Sequence, residues 1–164
     1  MKKLKRVFGV FLGITLLTAF VACDKDKDDE NNGNEGNAQG SYSLSVTGGD
    51  AGSISGEATY EFDNDLVRIK FGDNPPDIVM NYSLKTDEDI IPVGIYDPVS
   101  ATGTGMPDNS IAVQYNGDET YFGESGTVEI TSSGNGEISG SVNAVLESIG
   151  GNTMTVEGDF TALQ

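Results

Sequence analysis

The sequence contains no histidine and no tryptophan, and Cys23 is the only cysteine among its 164 residues. Without histidine, a Ser-His-Asp or Cys-His catalytic site cannot form, and zinc and copper lose their commonest protein ligand. Without tryptophan, the strongest aromatic platform for stacking on sugar rings is missing. A lone cysteine excludes an intrachain disulfide. We therefore expect no cofactor, with calcium as the one ion that the remaining oxygen ligands could bind.

Basic residues are scarce and unevenly placed. The chain has 26 acidic and 9 basic residues, and four of the basic ones (Lys2, Lys3, Lys5 and Arg6) precede residue 23, where there is no acid. From Cys23 onward the net charge is therefore 5 − 26 = −21. Such a surface repels phosphate backbones, so nucleic acid is not an expected partner. It also repels anionic lipid, so membrane attachment would need an apolar anchor.

The first 22 residues have the pattern of an export signal. A basic start through Arg6 precedes an uncharged, mostly apolar run over residues 7–22. That run is too short to cross a bilayer, which takes roughly 18 or more apolar residues. A basic start, a short apolar stretch and small residues before the cleavage point are typical of a secretory signal. We predict that residues 1–22 are a signal peptide.

The apolar run ends in Phe20-Val21-Ala22-Cys23, which resembles the lipobox of bacterial lipoproteins. In that family the cysteine thiol receives a diacylglycerol, the signal is removed before it, and the new amino terminus is acylated, commonly with palmitate. The resemblance implies that Cys23 attaches the protein to a membrane. Two or three acyl chains suffice for this, because each buried methylene contributes about 0.8 kcal/mol. The alternative is a free thiol after ordinary signal cleavage.

The segment after Cys23 is polar and acidic. Residues 24–40 read DKDKDDENNGNEGNAQG and contain one apolar residue, Ala38. Such a segment cannot bury enough surface to offset its ordering entropy, so residues 23–40 are predicted to be a disordered tether. Its acidic start resembles the export signal of Bacteroidota-type lipoproteins, which implies an outer-membrane protein on the cell surface. A plain solvated spacer, with the protein on the periplasmic face, is the alternative.

From Ser41 to Gln164 apolar residues alternate with polar ones, the pattern of half-buried strands. This pattern predicts one all-β domain of about ten antiparallel strands with no helix. Short successive turns favour a β-sandwich or a closed barrel. The predicted inward rows are Tyr42, Leu44, Val46; Ile54, Ala58, Tyr60, Phe62; Val67, Ile69, Phe71; Ile78, Met80, Tyr82, Leu84; Ile111, Val113; Val128, Ile130; Ile138, Val142, Ala144, Leu146; and Met154, Val156, Phe160.

Turn residues divide the domain. Pro75 and Pro76 cannot donate to a ladder and mark a connection, whereas Pro92 places residues 90–96 at a sheet edge. Asn116-Gly117 predicts a two-residue type I′ turn. That turn would pair Val113 with Thr120 and Ile111 with Phe122, so that Tyr121 points to solvent.

Four segments resemble an uncharacterised all-β domain of Bacteroidota-type lipoproteins. They are Ile91-Pro-Val-Gly-Ile-Tyr96, Gly126-Thr-Val-Glu-Ile-Thr131, Glu137-Ile-Ser-Gly-Ser-Val142 and Met154-Thr-Val-Glu-Gly-Asp-Phe160. The resemblance covers most of residues 41–164. It implies an all-β fold and a surface location, but no chemistry.

Two kinds of candidate site remain. Tyr96, Tyr115 and Tyr121 lie beside turns and could form a ligand platform; the alternative is packing in the core or at an edge. The acidic turns Asp63-Asn64-Asp65 and Asp87-Glu88-Asp89 could bind calcium; the alternative is solvated turns of an acidic protein.

These observations predict a lipid-anchored, surface-displayed, non-enzymatic β domain that binds an unidentified glycan or protein. The alternative is a carbohydrate-binding accessory protein of a surface uptake system, which would need an exposed row of coplanar tyrosines. A third hypothesis is a small hydrolase with paired carboxylates, which would need two buried acids in a cleft.

Overall fold

A computed structural model describes residues 39–49, 51–85, 88–100 and 105–164. The predicted signal peptide, Cys23, nearly all of the predicted tether and Asp87 lie outside these residues. Within them, we find no helix with the length and apolar character needed to cross a membrane. The strands are β1 (Ser41–Thr47), β2 (Gly52–Gly56), β3 (Ala58–Asp63), β4 (Leu66–Phe71), β5 (Asp77–Ser83), β6 (Gly94–Tyr96), β7 (Ile111–Asn116), β8 (Thr120–Gly134), β9 (Glu137–Ser148) and β10 (Thr153–Leu163).

Seven of these strands close a barrel in the order β3-β4-β5-β7-β8-β9-β10, with β10 returning to β3. Neighbours in this ring are antiparallel except β10 and β3, which run parallel and meet at one pair, Leu163 with Thr59. Strand β1 pairs with β10 and carries β2 on its other edge, and β6 pairs with β8. The predicted all-β fold of about ten strands is confirmed, and of the two predicted architectures the barrel is the one observed.

The strand directions define two rims, which we name the near rim and the far rim. The near rim holds residues 39–40 at the start of the described domain, the turns 64–65 and 135–136, and the connection from β5 to β6. The far rim holds the turns between β1 and β2, β4 and β5, β7 and β8, and β9 and β10. Strands β1 and β6 both begin at the near rim, because four antiparallel steps separate them.

The barrel interior is filled by the apolar side chains that the alternation predicted to face inward. Val67, Ile69 and Phe71 of β4 are fully buried, as are Ile78 and Met80 of β5. Because successive side chains of a strand point to opposite faces, strands such as β4 and β5 contribute every second residue to this core. Edge-to-face aromatic contacts link β1, β4 and β10; their ring centroids are 5.4 Å apart for Tyr42 and Phe71 and 5.2 Å apart for Phe71 and Phe160.

The predicted second strand is wrong in extent. Ile54 and Tyr60 were expected on one strand, but the chain forms two strands, β2 and β3, with Glu57 between them. The break lets the chain pass from β1 to the ring, since β2 pairs with β1 whereas β3 pairs with β4. The row expected to face inward therefore starts half-buried at Ile54 and ends exposed at Phe62.

The segment from Ile90 to Tyr96 forms a strand only over Gly94–Tyr96. Its predicted place at a sheet edge is confirmed, because among the described strands it pairs with β8 alone. Pro92 precedes the strand, where its missing N–H breaks no ladder bond.

The predicted turn at Asn116-Gly117 is wrong. Asn116 is the last residue of β7 and pairs with Thr120, so three residues, 117–119, make the turn. Neither Asn116 nor Gly117 has a positive φ, which a type I′ turn requires at both central positions. Phe122 pairs with Gln114 instead of the predicted Ile111, so the register of β7 with β8 differs from the predicted one by three residues. An odd offset moves the side chains of one strand to the opposite face of the sheet. Tyr121 consequently points inward and is only 4% exposed.

Candidate functional site

An open cleft of about 330 Å³ lies at the far rim. Four of its residues come from the turns between β4 and β5 and between β7 and β8, and one each comes from β2 and from the end of β7. The lining residues are Ile54, Pro75, Pro76, Tyr115, Gly117 and Asp118.

Local sequence explains how the cleft is built. Pro75 and Pro76 lack N–H donors, so they cannot continue the ladder of β4 with β5 and instead form an exposed apolar wall at the rim. Ile54 forms another wall; it is half-buried because β2 lies outside the ring. Tyr115, at an inward position of β7, is 1% exposed and forms the floor. The result is a mainly apolar cleft with one carboxylate, that of Asp118.

The structure places Tyr115 and Tyr121 side by side. They are directly paired across β7 and β8, and their ring centroids lie 6.0 Å apart at an interplanar angle of 75°. Both rings are buried. The hypothesis that these two rings present a stacking platform is wrong, and the alternative of core packing is confirmed for both.

Tyr96 lies on β6, which pairs with the part of β8 towards the near rim. Its ring is half-buried and meets the ring of Tyr82 edge-to-face, with centroids 5.2 Å apart. Its hydroxyl donates a hydrogen bond to the carbonyl oxygen of Pro92 at 2.5 Å. Tyr96 therefore packs at an edge. In the part of the chain that the structure describes, no row of exposed coplanar tyrosines is present.

The far rim is acidic. Nδ2 of Asn152 donates to Oε2 of Glu119 at 3.0 Å, which ties two turns of this rim together. The hydrogen bond from Asn152, followed by one from Tyr121, lowers the pKa of the Glu119 carboxyl. Between residues 39 and 164 the chain has 3 basic and 20 acidic residues, so this domain carries 3 − 20 = −17. The basic residues are Arg68, Lys70 and Lys85, all on or directly after β4 and β5.

A smaller cleft, of about 180 Å³, bears on the paired-carboxylate hypothesis. It is lined in part by Glu124 and Glu147, which belong to the paired strands β8 and β9. Both side chains are exposed, and no acidic residue among those described is buried. The two buried acids that the hydrolase hypothesis requires are therefore not present in the described part of the chain.

The turn at Asp63-Asn64-Asp65 was a calcium candidate. Both carboxylate oxygens of Asp63 already have partners: Oδ1 accepts from Nδ2 of Asn64 at 3.0 Å, and Oδ2 lies 3.3 Å from a guanidinium nitrogen of Arg68. Across residues 39–164, the described side chains include no group of three or more acids or cysteines arranged to hold a metal ion. The second candidate turn includes Asp87, which is outside the described residues.

Of the residues that line the far-rim cleft, Tyr115 alone was a predicted site residue. Ile54, Pro75 and Asp118 are far apart in sequence and become neighbours only when the ring closes. The usable signal was the pair Pro75-Pro76, which marks an irregular connection at a rim, where ligand sites are common. The resemblance to lipoproteins and their all-β domain stays a prediction, because no protein-family model, no curated protein and no solved structure matches this chain.

Proposed function

We propose that this protein is a lipid-anchored binding module, held at Cys23 on the outer face of the outer membrane, whose barrel binds a partner without catalysing a reaction. The observation that carries the proposal is the position of the cleft. It opens at the far rim, whereas the chain leads back to Cys23 from Gln39 at the near rim. Attachment through the residues before Gln39 would leave the cleft accessible, because the cleft lies at the rim opposite to the one where the chain enters the domain.

The cleft favours a particular ligand chemistry. Its walls are the apolar side chains of Ile54, Pro75 and Pro76, and its one charged lining group is Asp118. The far-rim turns contribute acids and no base within their described residues. Charge complementarity therefore favours a partner that offers an apolar group next to a cationic one, such as an aliphatic or aromatic side chain beside a lysine. An anionic ligand is disfavoured by the domain charge.

The binding test uses the full-length protein on intact cells and an array of short peptides. One set carries lysine beside leucine or phenylalanine, a matched set carries glutamate instead, and a third set of spots holds neutral oligosaccharides. We expect the lysine set to bind, and Ile54→Arg or Asp118→Lys to weaken binding at least about tenfold, a loss of roughly 1.4 kcal/mol. Ile149→Arg is the control, because Ile149 is exposed on the same rim but does not line this cleft.

Three results would count against the proposed cleft: equal binding of the glutamate set, unchanged binding by Ile54→Arg and Asp118→Lys, or equal loss in the Ile149→Arg control. Binding confined to the oligosaccharide spots would support the carbohydrate-binding alternative instead.

The anchor and the location are tested separately. Mass spectrometry of the purified protein should find acyl chains on Cys23, and Cys23→Ser should release the protein from membranes. Protease added to intact cells should remove the wild-type domain. Survival of the folded protein in intact cells, with digestion after lysis, would place it on the periplasmic face.

A further inference from the structure

Exposed apolar residues gather towards one rim of the barrel. The large apolar residues that are exposed in the described chain are Phe62 (43%), Ile90 (49%), Val93 (65%), Ile95 (68%) and Ile149 (92%). All except Ile149 lie on or next to the near rim. Ile90, Val93 and Ile95 fall within six consecutive residues, and we call these three the near-rim patch. Single exposed apolar residues are common, whereas a contiguous group marks an interaction surface.

The near-rim patch is held in a fixed place. Ile91, between its members, is fully buried and fastens the segment to the core. The hydroxyl of Tyr96 bonds to Pro92, and its ring packs on Tyr82. Ile95 belongs to β6 and pairs with Glu129 of β8. These contacts hold three apolar side chains in solvent on an ordered support.

The strand register places this patch relative to the start of the domain. Gly94 pairs with Ile130, Ile130 with Gly140, Gly140 with Phe160, and Phe160 with Tyr42. Gly94 and Tyr42 therefore lie on one row, four strand spacings apart, which is about 19 Å along the sheet. Val93 precedes Gly94 and Ser41 precedes Tyr42. Since β1 and β6 run in the same direction, both Val93 and Ser41 lie on the near-rim side of this row.

The length of chain between Cys23 and Gln39 sets how far the near rim can lie from the anchor. Sixteen peptide steps separate the two residues. The composition of the intervening residues predicts a flexible chain, and a flexible chain of that length has a root-mean-square span of about 22 Å, similar to the distance along the sheet from Tyr42 to Gly94. An anchored Cys23 thus keeps the near rim, and the patch on it, at a high local concentration of lipid.

We propose that the near-rim patch makes a second, weak contact with the lipid surface in which the acyl chains of Cys23 are embedded. This inference rests on the proposed lipid anchor. The apolar side chains would enter the interfacial layer of the membrane. Because the acyl chains of Cys23 would already hold the protein on that membrane, this second contact would not require a separate encounter. A second copy of the chain fits less well, because two domains of charge −17 repel one another. Glu88 and Asp89 flank the patch, so the contact favours an uncharged or zwitterionic surface.

The test uses the mature, lipidated protein in phosphatidylcholine vesicles whose lipids carry a nitroxide quencher on the acyl chain. Lipidation blocks the thiol of Cys23, so Val93→Cys and Ile149→Cys each supply one site for a fluorescent label. Ile149 is the matched control, an exposed apolar residue on the opposite rim. We expect the label at position 93 to be quenched at least about threefold more than the label at position 149, because quenching needs contact with the acyl layer. Anionic lipid in the vesicles should reduce this difference.

The outcomes separate the two proposals. Equal quenching at both positions, in protein that floats with the vesicles, overturns the lipid contact and leaves the anchor intact. In another outcome, the lipid leaves the label at position 93 unquenched while dilution of the protein increases the solvent exposure of that label. This result would indicate self-association through the patch and would also overturn the lipid contact. If the protein purified from its membrane host carries no acyl chains and does not float with the vesicles, the anchor is overturned, and the lipid contact falls with it.

Discussion

At the scale of single residues, three glycines decide how closely the long strands approach. A Cβ atom on Gly126 would collide with the carbonyl oxygen of Asn143, and one on Gly158 with that of Ser43. On Gly140 it would collide with the carbonyl oxygen of Glu129. Each pair of atoms belongs to two adjacent strands among β1, β8, β9 and β10. Glycine at such positions allows the close backbone approach and the sharp coiling that barrel closure needs.

The substitution Gly126→Ala should therefore be strongly destabilising. Gly126 has φ +114° and no space for a methyl group, so we expect a loss of about 2–4 kcal/mol in the free energy of unfolding. Urea unfolding of the wild type and the variant measures this loss in the free energy of unfolding. Gly52→Ala is the control, since nothing lies within reach of a Cβ there, and its effect should stay within about 0.5 kcal/mol. Equal losses in the two variants would refute the close-approach explanation.

Tyr82 should make the fold sensitive to alkali. Burial, and next a hydrogen bond with Tyr96, raise the pKa of the Tyr82 hydroxyl well above its usual value. The folded state then holds its proton at a pH where the unfolded chain has lost it. The contribution of this Tyr82 proton to the free energy of unfolding is complete below about pH 10. Above that pH the contribution declines, by up to about 1.4 kcal/mol per pH unit.

Urea unfolding between pH 9 and pH 11 tests this expectation. Tyr82→Phe removes the titrating group, so its stability should fall less steeply with pH than that of the wild type. The variant also loses the hydrogen bond from the Tyr82 hydroxyl to Oδ1 of Asn109, at 3.1 Å, so its stability at pH 7 should be lower by about 1 kcal/mol. Parallel curves for the two proteins would exclude Tyr82 as the source.

At the scale of strands, the outer face of β3 and β4 carries the ion pairs that involve Arg68 and Lys70. Nζ of Lys70 lies 2.8 Å from Oε1 of Glu61, and a guanidinium nitrogen of Arg68 lies 3.4 Å from the same oxygen. The hydrogen bond from Lys70 is the main cause that lowers the pKa of the Glu61 carboxyl. Cross-strand pairs of opposite charge support the pairing of neighbouring strands.

Removing the partner should return the Glu61 carboxyl towards its ordinary pKa. We expect Lys70→Met to raise the pKa of Glu61, and Lys85→Met, which removes a base after β5, to leave it unchanged. A carboxyl carbon NMR titration measures both. Because the pKa is lowered in the folded state, the pair supports the fold above the ordinary pKa of glutamate, and this support is lost as the pH falls through the lowered value. An unchanged pKa in Lys70→Met would show that the contact does not persist in solution.

The sequence predicts strands better than it predicts their pairing. Alternation identified the inward residues of β1, β4, β5 and β9, because a half-buried strand needs one apolar face. It did not predict that β2 and β3 separate at Glu57, since alternation continues across the break. It also misplaced the turn after Asn116, because Asn-Gly suits two turn lengths and the choice depends on the ring around it. That single register error put Tyr121 on the wrong face.

At the scale of the whole molecule, charge opposes compaction. The domain from residue 39 to residue 164 holds 20 acids and 3 bases, and its described acids lie on the surface. Mutual repulsion of like charges destabilises a compact state and weakens as salt screens it.

Salt should therefore stabilise the protein. Between 10 mM and 200 mM sodium chloride the Debye length falls from about 30 Å to below 10 Å, and we expect Tm to rise by about 5 °C. Thermal unfolding followed by circular dichroism measures it. Sucrose at equal osmolality is the control, as it does not screen charge. A rise no larger in salt than in sucrose would mean that repulsion is unimportant to stability.

The site is harder to predict than the fold. Ile54, Pro75 and Asp118 show no motif in the sequence, and their proximity follows from closure of the barrel and from β2 lying outside it. For the near-rim patch, the proximity of its residues could be predicted, because Ile90, Val93 and Ile95 are near neighbours in sequence. Their exposure was not predictable, since similar runs of apolar residues elsewhere in the domain are buried.

The position of β1 has a mechanical consequence. This strand lies between two partners and forms seven residue pairs with β10 and five with β2. A pull between Gln39 and the far rim acts along the axis of β1, so both ladders resist it in shear and their pairs bear the load together. A strand pulled from its side would instead unzip one pair at a time. A protein held by its amino-terminal segment in a flowing medium would thus transmit force through a strand that is paired along both of its edges.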